Sequence, residues 1–68
     1  MILMSRDVYK AAIEDLKSQG FEISDPIPLE GKTTEGWKEV RLCYCNEKAF
    51  YLLLKPHRKG IMAKTVEA

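Results

Sequence analysis

Trp37-Lys38-Glu39-Val40-Arg41-Leu42-Cys43-Tyr44-Cys45-Asn46-Glu47-Lys48-Ala49-Phe50-Tyr51-Leu52-Leu53-Leu54-Lys55 decides the fold of this chain. β-Branched, aromatic and aliphatic residues run on either side of a polar break at 46–48, the pattern of two strands joined as a hairpin. A three-residue connection, Asn46-Glu47-Lys48, sets Cys45 opposite Ala49, Tyr44 opposite Phe50, Leu42 opposite Leu52 and Val40 opposite Leu54. The other side then pairs Cys43 with Tyr51, Arg41 with Leu53, and Glu39 with Lys55 as opposite charges. A slip of one residue would set Val40 and Leu42 against Leu53 and Tyr51 and mix the two sets. The segregated register is therefore the one expected.

Upstream, residues 6–19 read as a helix. Val8, Tyr9, Ala12, Ile13 and Leu16 fall on one stripe at 3.6-residue spacing. Ser5 is suited to cap the first turn through its hydroxyl, with Met4 and Tyr9 placed as a hydrophobic staple around it. Gly20 supplies a left-handed stop, and Phe21 lies where a Schellman ending sets an apolar contact to Leu16. Phe21-Glu22-Ile23 follows as a short strand with Phe21 and Ile23 on one side. Asp25-Pro26, Pro28, Gly31 and Gly36 mark a long turn-rich segment in which Ile27 and Leu29 alternate as an extended edge. Gly31-Lys32-Thr33 lacks the earlier glycine and the following helix of a phosphate-binding loop.

Beyond the hairpin, Pro56-His57-Arg58-Lys59-Gly60 reads as a turn, because proline cannot donate to a ladder and glycine bends freely. Residues 61–68 are too few for a self-supporting helix and read as a strand, with Ile61 beside Leu54 and Lys64 beside Tyr51. The whole is a single α+β domain over residues 1–68. An N-terminal helix packs on one face of a three- or four-stranded antiparallel meander, in the order α-β-β-β with room for a fourth, C-terminal strand. The helix-then-three-strands order is similar to the front of a double-stranded-RNA-binding domain, in element order alone, without that family's final helix and its lysine-rich start.

A chain of 68 residues leaves about 40% of its unfolded surface exposed after folding, so its core is thin and self-association is a common remedy. No apolar run reaches the ~18 residues of a membrane span, and Met1-Ile2-Leu3-Met4 is too short for a signal-peptide core. A cytoplasmic, reducing setting follows as the expectation. Cys43 and Cys45, two apart on one strand, sit awkwardly for a mutual disulfide and fall short of a structural zinc set. No metal or cofactor is expected. Residues 1–47 carry six Lys/Arg against nine Asp/Glu, net −3, and residues 48–68 carry five against one, net +4. That asymmetry points to an anionic partner for the C-terminal third.

One helical stripe covers one sheet face, expected to be Val40, Leu42, Tyr44, Phe50, Leu52 and Leu54. The second face would then show Arg41, Cys43, Tyr51, Leu53 and Lys55, with Trp37, Met62 and Lys64 alongside. Basic residues interleaved with aromatics stack unpaired bases and attract phosphates. The expected function is thus a small non-catalytic binding module for single-stranded or irregular nucleic acid. Trp37 and Tyr51 would stack, while Arg41, Lys55, Arg58, Lys59 and Lys64 meet phosphates, with His57 beside them extending the positive field around one end of the sheet. The alternative is a protein-contact or homodimer face built from Tyr51, Leu53, Cys43 and Met62. Each residue also has a plainer reading: Trp37 as edge packing, the 55–59 cations as a solvated turn. His57 is flanked by cations rather than an orienting carboxylate, and no nucleophile pattern appears, so no catalytic residue and no small-molecule site is expected.

Overall fold

The computed structural model describes residues 1–30 and 35–68; the Gly31-Lys32-Thr33 stretch lies outside them. Seven elements follow in order: strand β1 (Ile2–Met4), helix α1 (Arg6–Ser18), and strands β2 (Glu22–Ile23), β3 (Ile27–Pro28), β4 (Glu39–Cys45), β5 (Lys48–His57) and β6 (Gly60–Glu67). All six strands join one antiparallel sheet in the order β1-β6-β5-β4-β2, with β3 also on β4. The class is α+β, as expected. The strands are more numerous, and one of them precedes the helix. That strand pairs Ile2, Leu3 and Met4 with Ala63, Met62 and Ile61.

Because β1 and β2 lie at opposite edges, α1 must carry the chain across one face of the sheet. Its start and stop are local. The Ser5 hydroxyl accepts from the Val8 N–H at 3.2 Å, satisfying one free donor of the first turn. At the other end Gly20 takes φ 97°, and the N–H groups of Gly20 and Phe21 donate to the carbonyls of Lys17 and Leu16 at 3.0 and 3.1 Å. This is the Schellman pair the sequence pattern expects. The stripe itself is narrower than expected: Ile13 is buried and Tyr9 and Leu16 half-buried, whereas Val8 and Ala12 are exposed.

The hairpin register differs from the expected one by a residue. Cys45 faces Lys48, so the connection is the two-residue turn Asn46-Glu47. Asn46 adopts φ 55°, a left-handed conformation that asparagine tolerates better than most residues and that short hairpin turns demand. Val40 therefore faces Leu53 and Leu42 faces Tyr51, while Cys43 faces Phe50, Arg41 faces Leu52, and Glu39 faces Leu54 rather than Lys55. One residue of slip moves every side chain of β4 to the other face.

The core shows the result. Ile13 packs with Cys43, Leu52, Leu54 and Ala63, and Met4, Tyr9, Phe21, Ile23, Phe50 and Ile61 gather around them. The helix thus covers the Cys43, Leu52 and Leu54 side. Val40, Leu42 and Tyr44, expected beneath the helix, lie on the open side. Phe21 and Phe50 meet edge to face with ring centres 5.6 Å apart.

The second hairpin is also tighter than expected. β5 runs through Pro56 to His57, and only Arg58-Lys59 forms the turn. Pro56 is accommodated because β4 begins opposite Leu54, so β5 is an edge at that point. The tail is a strand, but Ile61 faces Pro56, Lys64 faces Leu53, and Tyr51 faces Val66. On the opposite edge β2 and β3 pair with β4 around a kink at Ser24. There the Ser24 hydroxyl accepts from the Leu42 N–H at 2.8 Å, and the Ser24 N–H donates to the Leu42 carbonyl at 2.9 Å.

Candidate functional site

The face without a helix is built in rows across the three long strands. Leu42, Tyr51 and Val66 stand side by side, next to Val40, Leu53 and Lys64, with Tyr44 and Ala49 beyond. Tyr44 and Tyr51 are each 43% exposed and Val66 39%; Val40, Leu42, Leu53 and Met62 are half-buried. Leu3, 41% exposed, continues the patch beside Met62 through β1. Antiparallel sheets usually turn polar side chains to solvent on such a face. Here aliphatic and phenolic groups dominate.

One end of this face is closed by the segment entering β4. Lys38 and Glu39 both stand opposite Leu54: the Lys38 N–H donates to its carbonyl at 2.9 Å, and Glu39 is its ladder partner. Such a bulge breaks the alternation of sides. Trp37, which alternation would place on the same side as Cys43, instead lies against Lys55, whose Nζ is 4.7 Å from its ring centre. The indole is only 4% exposed. Glu35 completes the closure: its carbonyl accepts from Lys55 Nζ at 2.6 Å, and its Oε1 lies 3.3 Å from Lys64 Nζ.

The charges respond accordingly. Lys64, through its hydrogen bond and its charge, holds the Glu35 carboxyl below its ordinary 4.5, with smaller help from the Trp37 indole and the Lys55 charge. Glu22, opposite Tyr44, raises that phenol above its ordinary 10.0 by accepting from it and by its charge. A carboxyl depressed in the folded state contributes stability above its unfolded value and loses it as pH falls through the folded one. The Glu35 tether should therefore hold at neutral pH and release in acid. Trp37 fluorescence should titrate with a midpoint below 4.5, and Glu35→Gln should abolish that transition. An acid-independent spectrum in the parent chain would contradict the tether.

The residues expected to form a nucleic-acid surface are thus divided. Tyr51, Lys55 and Lys64 do share the open face, with both lysines held by Glu35. Trp37 is packed rather than presented as a stacking platform. Arg41 lies on the helix side, donating from Nε to the Ser24 carbonyl and from Nη1 to the Tyr9 hydroxyl, both at 2.9 Å. Arg58 and Lys59 are exposed at the β5–β6 turn, where the Lys59 N–H donates to His57 Nδ1 at 3.1 Å.

The alternative, a protein-contact face, keeps Tyr51, Leu53 and Met62 together but not Cys43. That thiol is fully buried on the helix side, where burial pushes it above its ordinary 9.0 against the opposing charge of Arg41. Sequence reasoning missed Val40, Leu42, Tyr44, Val66 and Leu3 as members of the face. The turn preference of Asn46 was the signal that could have found the first three.

Among the described residues no group of three His, Cys, Asp or Glu could hold a metal ion, and no helix is long and apolar enough to cross a membrane. Compared with known proteins, the chain matches no family model, no curated protein and no solved structure.

Proposed function

We propose that this chain is a non-catalytic binding module whose open sheet face docks a protein partner, and that the partner is a second copy of the chain. The observation that carries this is the composition of the face: Tyr44, Tyr51, Val66 and Leu3 stand well exposed around Leu42, Leu53 and Met62. Its two lysines are already turned to Glu35. A surface whose ammonium groups are already engaged within the chain and whose apolar rows are contiguous gains most from an apolar counterpart. The thin core supports a second copy, since Ile13, Trp37, Cys43, Leu52, Leu54 and Ala63 are the buried hydrophobic residues among those described. A net charge of +1 leaves little repulsion between copies, and a second copy offers the same apolar patch across a two-fold axis.

Sedimentation equilibrium from micromolar to millimolar concentration tests this. The mass should fall from dimer to monomer on dilution and change little between low and high salt. A monomer throughout would overturn the dimer.

Single-stranded nucleic acid is the second reading, favoured by the exposure of Arg58, Lys59 and Tyr51. Against it, Lys55 and Lys64, the cations between the turn and that ring, are occupied by Glu35. Oligonucleotide binding, if it occurs through those cations, must weaken steeply with salt, because counterion release drives it.

A further inference from the structure

On the helix side, beside the N-terminal turn of α1, a cleft of about 250 Å³ opens between that turn and the end of the sheet where β4 begins. Arg6 and Tyr9 form one wall, Arg41 and Glu39 another, and Leu54, Pro56, Ile61 and Pro26 line the apolar remainder. The cleft lies on the opposite side of the sheet from the open face.

Two features give the cleft a chemical preference. The first is Arg41. Its half-buried guanidinium has no carboxylate within ion-pair distance among the described residues, although a desolvated cation ordinarily finds one. Of the five N–H groups on that fork, one on Nε and one on Nη1 are used, by Ser24 and Tyr9. The second is the direction of the Tyr9 bond. The phenol oxygen accepts from Arg41, so its own proton points elsewhere, and no acceptor for it stands among the described residues. The remaining N–H groups of Nη1 and Nη2 and a phenol O–H, all fixed by other contacts, are thus left as donors beside a second guanidinium on Arg6. Glu39 alone opposes them in charge, and Lys55, which also borders the cleft, has its ammonium committed to Glu35 and Trp37.

We propose that this cleft binds a small organic oxyanion, a carboxylate or a phosphate ester on a compact apolar body. Arg41 holds its oxygens through the remaining N–H groups of Nη1 and Nη2, as charge-assisted donors of a planar fork. Tyr9 donates to the same group, and Arg6 adds charge at the rim. Leu54, Ile61 and Pro56 receive the apolar body. The volume limits the ligand to a single small ring or a short chain.

Benzoate and phenyl phosphate are the probes, titrated into isotopically labelled protein and followed by NMR, with uncharged benzamide as the control. Saturable shifts are expected at Arg6, Tyr9, Ile61 and the Arg41 side chain with at least one of the two oxyanions, and none with benzamide. Which one binds more tightly identifies the oxyanion.

Arg41→Gln risks the fold, because Arg41 ties the helix to Ser24. The exposed Arg6→Gln is therefore the principal variant and should weaken binding about threefold, as loss of an exposed rim charge does. Arg41→Lys, which keeps the charge but loses the fork, should weaken it as well. No saturable shift with either oxyanion, equal shifts with benzamide, or unchanged affinity in Arg6→Gln would overturn the proposal.

Discussion

Alanine at Gly60 is expected to lower the stability of the fold by about 3 kcal/mol or more, a large part of what a domain of this size possesses. Gly60 holds φ 145°, a backbone region that residues with a side chain rarely enter. A Cβ there would run into the Met4 carbonyl oxygen, with the carbonyl carbon at 3.0 Å and Ser5 Cα at 3.1 Å. These are backbone atoms, so no flexible side chain can yield. The strand that must give way is β1, which pairs with β6 just beyond this glycine. Urea unfolding followed by circular dichroism should show a markedly lower midpoint in Gly60→Ala. Amide exchange in that variant should be fastest at Leu3 and Met4. A midpoint equal to the parent's would mean that β1 does not dock against the β5–β6 turn.

The second large effect separates two neighbouring leucines. Leu52 is buried against Ile13 and Cys43 on the helix side, and Leu52→Ala should cost about 2–5 kcal/mol through lost burial and the cavity left behind. Leu53, its neighbour, points the other way and is half-buried, so Leu53→Ala in the dilute monomer should cost only about 1 kcal/mol. Midpoints measured at micromolar concentration keep association out of the comparison. Equal costs at the two positions would refute the sidedness of β5, and with it the open face.

The helix was legible in the sequence because its signals are local. Ser5, Gly20 and Phe21 close the two ends through bonds within a few residues, and Tyr9, Ile13 and Leu16 of the expected stripe turn inward while Val8 and Ala12 face solvent. The sheet was legible in kind but not in register. Pairing Tyr44 with Phe50 and Leu42 with Leu52 sorted apolar residues well, but such pair preferences amount to only about 0.2–1 kcal/mol each. A turn led by Asn46 at φ 55° settled the alignment instead. The same competition shortened the second turn to Arg58-Lys59, since Pro56 could remain in a strand that has become an edge.

Two features had no local signal. β1 is three residues long, too short for any period, and exists only through its pairing with β6. Trp37 kept its expected place beside the open face, although β4 turned over, only because a bulge at Lys38 and Glu39 reversed the alternation, and bulges leave little trace in composition. The candidate site followed the register. With β4 turned over, Arg41 and Cys43 left the open face while Val40, Leu42 and Tyr44 joined it, so a surface expected to be basic and aromatic proved largely apolar.

Dilution followed by NMR on the labelled chain, residue by residue, gives the most direct view of that surface. Amide and side-chain signals of Leu42, Tyr44, Tyr51, Leu53, Met62 and Val66 should move together as the protein is diluted from millimolar to micromolar. Signals of the outward helix positions Val8 and Ala12 should stay fixed. Movement confined to Val8 and Ala12, or no movement anywhere, would contradict a docking face on the open side of the sheet.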